Sequence, residues 1–143
     1  MSEIRSVILP SLEGGFFVPA SEYTPEQLED WKLLAHLVYA EARGEPFWGQ
    51  VAVAAVALNR LEHPDFPNTI YEIIFQPRQF EVVANGSIYQ TPNNLAYQAV
   101  REALEGQDPT DGSLFFWNPQ KVGPRSWVWT RTVKLQIGNH VFA

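Results

Sequence analysis

The sequence predicts a single α+β domain, helical with a small β-hairpin or sheet. Three observations predict it. Helical periodicity dominates residues 24–62, β-favouring aromatic and branched runs gather after residue 113, and 143 residues suit one hydrophobic core. The composition agrees: 45% apolar and 18% charged residues describe a globular chain rather than a disordered one. With no cysteine, disulfides, thiolate metal sites and cysteine nucleophiles are excluded.

Residues 1–23 read as an N-terminal arm or linker, with Pro10, Gly14, Gly15 and Pro19 and no sustained period. The domain is expected over 24–143. Thr24 is suited to N-cap a helix, Pro25 to its first position, and Gln27 completes a capping box. Tyr23 and Leu28 occupy the two hydrophobic-staple positions. Leu28, Trp31, Leu34, Ala35, Val38 and Ala42 then recur at helical spacing. A helix is predicted over 24–43, capped by Gly44 and stopped by Pro46. A second helix is predicted over 47–62. Its middle, Val51 to Leu58, is apolar all round, which marks a central helix. Thr69 is expected to cap a short helix through Phe75. Asn85-Gly86 lies between Phe80–Val83 and Ile88–Tyr89 and predicts a β-hairpin. The next helix is expected from Thr91-Pro92 to Gly106, with a stripe of Leu95, Ala96, Ala99, Val100, Ala103 and Leu104. After a turn at Asp108–Gly112, strands are expected at Leu114–Trp117, Trp127–Trp129 and within Val133–Phe142.

The net charge of −6 is unevenly spread. Residues 1–75 hold 11 acids and 4 bases, whereas residues 113–143 hold no acid and four bases, Lys121, Arg125, Arg131 and Lys134. Three of the five tryptophans, Trp117, Trp127 and Trp129, share that basic segment. Overall acidity argues against nucleic acid as a partner. The basic-aromatic strip suits an anionic or sugar-rich polymer, or equally the solvated edge of a β core. The longest apolar run, Val51–Leu58, is far short of the ~20 residues of a membrane span, and no signal peptide is visible. No P-loop or nucleophile elbow occurs. His36, His63 and His140 share no metal-ligand spacing and read as surface or boundary residues; no metal or other cofactor is expected.

The carboxylates remain, and Glu41 stands out among them. On a helical wheel it lies beside Leu34, at the edge of the apolar stripe. It also sits in the last turn, where the helix dipole disfavours a carboxylate by roughly 0.3–1 kcal/mol. Burial and the dipole both raise its pKa, and a carboxyl protonated near neutral pH is what a general acid requires. The rival explanation is an exposed helix-end Glu paired with Arg43. Phe47 and Trp48 follow the helix-end turn, and an acid beside aromatic rings resembles a glycosidase site.

The motifs Tyr39-Ala-Glu41-Ala-Arg43-Gly-Glu45-Pro, Gly49-Gln-Val-Ala-Val, Leu58-Asn-Arg60 and Phe66-Pro-Asn-Thr-Ile70 resemble the SleB/CwlJ-type spore cortex-lytic cell wall hydrolases. The likeness continues through Gln76-Pro77, Gln79-Phe80, Thr91-Pro92-Asn93, Leu114–Phe116, Asn118-Pro119 and Ile137–Phe142. The resemblance implies a lysozyme-like fold and peptidoglycan or spore cortex glycan as substrate. The expected reaction cuts the β-1,4 bond between N-acetylmuramic acid and N-acetylglucosamine, as a lytic transglycosylase or muramidase. It implies that Glu41 is the catalytic acid, protonating the glycosidic oxygen and then taking the proton of the muramoyl C6 hydroxyl as an anhydro ring closes.

That route needs one carboxylate. A hydrolase normally has a second roughly 5–9.5 Å away, and Glu45 and Glu81 are the secondary candidates. A structural role is preferred for Glu45. Substrate contacts are expected from Gln79, Phe80, Phe116 and Asn118, and from Tyr39, Trp48, Trp127 and Trp129, although core packing accounts for each aromatic equally well. The resemblance further implies a cell envelope or spore cortex location and a spore-envelope protein partner. The export signal and peptidoglycan-binding domain of many SleB-like relatives are not visible, an arrangement closer to the CwlJ-like proteins. A non-catalytic glycan-binding module is the alternative reading.

Overall fold

The computed structural model describes residues 24–143; the predicted arm and the Tyr23 half of the staple lie outside the described residues. Helix α1 spans Pro25–Ala42 and starts as its sequence predicts. The Gln27 N–H donates to Thr24 Oγ1 at 3.1 Å, and the Thr24 N–H donates to Gln27 Oε1 at 3.0 Å. Gly44 does not take the left-handed cap role. Arg43 is the C-cap, in right-handed helical geometry, and the Glu45 N–H returns to the Ala42 carbonyl at 2.9 Å.

Helix α2, Phe47–Leu61, is central, and its packing explains its sequence. One side, through Val51, Val53, Ala54, Ala57 and Leu58, joins the main core with α1 residues Trp31, Leu34, Leu37 and Val38. The other side, through Ala52 and Val56, meets Phe142, Phe116, Leu135 and Ile137 of the sheet. A helix covered on both sides has no use for a polar face. Burying a side chain such as Leu58 contributes roughly 1.5–3 kcal/mol, and the alanines let neighbours approach closely. The short α3, Ile70–Phe75, is capped by Thr69, whose Oγ1 accepts from the Glu72 N–H at 3.1 Å.

The predicted hairpin at Asn85-Gly86 is not formed. Glu81–Ala84 is instead a single helical turn, α4, and Ser87–Tyr89 a 3-10 turn. Gly86 supplies the positive φ of 84°, and Asn85 Oδ1 accepts from the Ser87 N–H at 2.9 Å. Phe80, Val82 and Ile88 all enter the helical core, so burial overrode strand pairing in these short runs. The Ile88 carbonyl is met by His36 Nδ1 at 2.7 Å rather than by a strand. Helix α5, Asn94–Leu104, begins later than Thr91, because the Asn93 side chain caps it by accepting from the Ala96 N–H at 2.9 Å. It packs against both α1 and α2.

A three-stranded antiparallel sheet completes the domain in the order β1 (Phe116–Trp117), β3 (His140–Phe142), β2 (Leu135–Ile137). The β2–β3 hairpin turns on Gly138-Asn139, with a φ of 59° at Gly138. Trp127–Trp129, expected as strand, lies instead in a 3-10 turn, Trp127–Thr130, capped by Ser126. Only Val128 of that segment reaches the core, where it packs with Trp117 and Val141. Among the described residues, no helix is long and apolar enough to cross a membrane.

Candidate active site

Glu41 sits one residue from the end of α1, half-buried at a cleft of about 850 Å³ between the helices and the sheet. Its carboxyl is pushed up from 4.5 to about 7, chiefly by burial and next by the negative charge of Glu81. Lys121 and Arg60 pull the other way. The helix-end argument from sequence thus points to the residue with a strongly perturbed carboxyl in the cleft.

Arg60, near the end of α2, is the residue that sequence reasoning missed. It is 4% exposed, an unusual burial for a guanidinium. Its Nε donates to the Leu114 carbonyl at 2.7 Å and its Nη1 to Gln79 Oε1 at 3.2 Å. Its charge lies 5.0–5.3 Å from the ring centres of Phe66, Phe80 and Phe115. Burial pushes its pKa down to about 10, with Glu41 opposing, so it stays cationic at neutral pH. A base ending an otherwise apolar helix was the available signal. His140, read as a surface or boundary residue, is instead buried and lines the cleft.

The structure brings together Glu41, Glu81, Gln79, Phe80, Phe116, Asn118 and Trp127 along this cleft. A φ of 67° at Arg78, rare for a non-glycine residue, turns the chain just ahead of Gln79 and Phe80. Asn118 also makes the turn expected before Pro119, its Oδ1 accepting from the Gln120 N–H at 2.9 Å. Tyr39, Trp48 and Trp129 lie outside the cleft lining. Arg43 stacks over Tyr39 at 5.6 Å, and Trp48 is half exposed beside Phe47. Trp129 Nε1 donates to the Gly123 carbonyl at 2.8 Å, which ties the loop to itself. Trp127 is 55% exposed, with Phe115 and Arg131 behind it. If Trp127 is the sugar platform expected of it, Trp127→Ala should weaken glycan binding about three- to thirtyfold with little change in Tm, measured by titration and thermal unfolding. Loss of cooperative unfolding would return Trp127 to the core.

Glu45 serves the structural role preferred for it. Its carboxylate accepts from the Asn139 N–H at 2.8 Å and from Asn139 Nδ2 at 3.0 Å, clamping the β2–β3 turn to the end of α1. A Cβ at Gly138 would run into that carboxylate, so glycine is required there for space as well as for φ.

Residues 44–143 match the family model described as Cell Wall Hydrolase. The chain belongs to the cell wall hydrolase family. The catalytic domain of the germination-specific lytic transglycosylase SleB from Bacillus anthracis superimposes on this cell wall hydrolase with a TM-score of 0.75. The two are 47% identical, over 87% of this chain and 98% of that one. The domain fold expected from the sequence motifs is therefore present. A spore cortex-lytic enzyme of Bacillus cereus is 50% identical over 113 residues, 79% of this chain but 43% of that enzyme. The chain thus spans under half the length of that relative. Cell wall hydrolase CwlJ of Bacillus subtilis is 36% identical over 104 residues, 68% of this chain and 73% of that protein.

Proposed function

We propose that this cell wall hydrolase cleaves the peptidoglycan glycan strand between N-acetylmuramic acid and N-acetylglucosamine, as a lytic transglycosylase with Glu41 as acid and then base. The observation that carries the reading is a cleft carboxyl held near pH 7. Such a group is populated in both forms, so one residue can give a proton and take one back. Likeness to SleB and to the spore cortex-lytic enzymes supports the same reaction and the glycan of spore cortex or cell wall as substrate. A spore-envelope location and a spore-envelope protein partner belong to the same proposal.

The steps balance on one carboxyl. Neutral Glu41 gives its proton to the glycosidic oxygen as the bond to the muramoyl C1 breaks. Arg60 and Lys121 favour the carboxylate that results. The C6 hydroxyl then bonds to C1 and surrenders its proton to Glu41, leaving a 1,6-anhydro end and restoring the acid. Glu45 is committed to Asn139, so Glu81 is the second carboxylate in the cleft. In this route Glu81 acts only through its charge.

Mass spectrometry of digested peptidoglycan should show anhydromuramoyl ends with wild type and also with Glu81→Gln. Removing the Glu81 charge lowers the Glu41 pKa. The neutral acid is then lost at lower pH, and the descending limb of the pH–rate profile should move to lower pH. Reducing ends from wild type, together with an inert Glu81→Gln, would establish a two-carboxylate hydrolase instead. Glycan binding without fragments would mark a binding module.

A further inference from the structure

The cleft contains a buried histidine that the proton-transfer scheme does not use. His140 is 6% exposed, with its ring set edge-on to Phe116 at 5.2 Å and to Phe142 at 6.3 Å. Nδ1 is fully buried and has no hydrogen-bond partner among the described residues. Nε2 also bonds to no described residue but is not sealed from solvent, so it is the edge presented to the cleft. Burial outweighs Glu45 and, with Lys121, keeps the ring neutral at neutral pH. A buried N–H without a partner is rarer and costlier than an unused lone pair, which assigns the single proton to Nε2.

A second neutral donor lines the same cleft. The β1–β3 register pairs Phe116 with Phe142 and Trp117 with Val141; Asn118 directly follows β1, and His140 opens β3 at the same end of the sheet. Asn118 Oδ1 is occupied by the Gln120 N–H, which leaves its amide N–H groups to donate within the cleft that the residue lines. Phe116, on the same face of the sheet, adds an apolar ring. Two uncharged donors suit an uncharged oxygen with two lone pairs, and the ring suits a methyl group next to it. An acetamido group carries both; a hydroxyl lacks the methyl, and a carboxylate is better served by Lys121.

We propose that His140 Nε2–H and Asn118 Nδ2–H together bind the carbonyl oxygen of an N-acetyl group of the glycan, with Phe116 against its methyl. This rests on the glycan-cleavage reading and names the substituent that the cleft selects.

The test uses the full chain carrying Glu41→Gln, so that binding is read without turnover. Calorimetry would compare glycan strands purified from peptidoglycan with the same strands after chemical N-deacetylation, at about 0.5 M salt to screen the new amines. The acetylated strands should bind about ten- to hundredfold more tightly. Adding His140→Phe, which keeps a ring in the packing, should bring that ratio close to one. Asn118→Asp, which keeps the acceptor for Gln120, should do the same. Equal binding of both strands by the Glu41→Gln protein, or an unchanged ratio in both added variants, would overturn the proposal. Whether wild type cuts the strands is decided separately by its products, so failure of the cleavage reading is distinguishable from failure of this subsite.

Discussion

Glu41→Gln is expected to lower glycan cleavage by about 10²–10⁴-fold while leaving the domain folded and able to bind glycan. The amide fills the same volume but can neither supply nor recover a proton. Released fragments measured by mass spectrometry decide the point, and undiminished cleavage would remove Glu41 from the mechanism. Wild-type activity should fall as pH rises through about 7, where the neutral acid is lost. Stability carries an independent signature. The folded carboxyl titrates near 7 against an ordinary 4.5, so the folded state holds the proton more tightly than the unfolded chain does. Wild-type stability therefore falls as pH rises from 4.5 to 7, and the glutamine does not share that loss. At pH 8 the variant should be about 1–3 kcal/mol more stable than wild type, and near pH 4 the two should melt alike. A merely damaging substitution would lower the melting temperature at both.

Arg60→Leu should have the largest effect on stability, about 3–5 kcal/mol, read from denaturant unfolding at neutral pH. The leucine fits an apolar helix by composition, yet it leaves the Leu114 carbonyl and Gln79 Oε1 without their donor. It also empties the space between three aromatic rings of the cation they surround. The chemistry should suffer beyond the stability loss. Without Arg60 the Glu41 carboxyl rises further, and the carboxylate formed after proton donation loses a buried cation. Arg60→Lys should recover little, because an ammonium cannot reproduce the planar fork that bonds Leu114 and Gln79 while lying against the rings. A stable, fully active Arg60→Leu protein would show that the buried charge is incidental.

These two residues mark how far the sequence could be read. Glu41 was legible because its oddity is local: an acid in the last turn of a helix, at the edge of an apolar stripe. The start of α1 was legible for the same reason, since Thr24 and Gln27 settle it between themselves. Asn85-Gly86 carries an equally local signal, and it did produce a turn. What the turn joins was decided by where Phe80, Val82 and Ile88 found a core, and that information lies in distant helices. Trp127–Trp129 misled likewise: branched and aromatic residues favour strands, but only Val128 had a surface to cover. Arg60 acquires its meaning from burial against Glu41, Gln79 and Leu114, 19 to 54 positions away, and His140 from Phe116, 24 positions away.

The strand order has a consequence for when the cleft is completed. The middle strand of the sheet, β3, is made after both of its neighbours. A nascent chain that has reached α5 can already bury α1 against α2. It still lacks Phe142 over Ala52 and Val56, and it lacks the cleft wall that carries His140. Until β3 docks, the cleft that Glu41 lines lacks one of its walls. Synthesis from the amino end thus closes the cleft around Glu41 last.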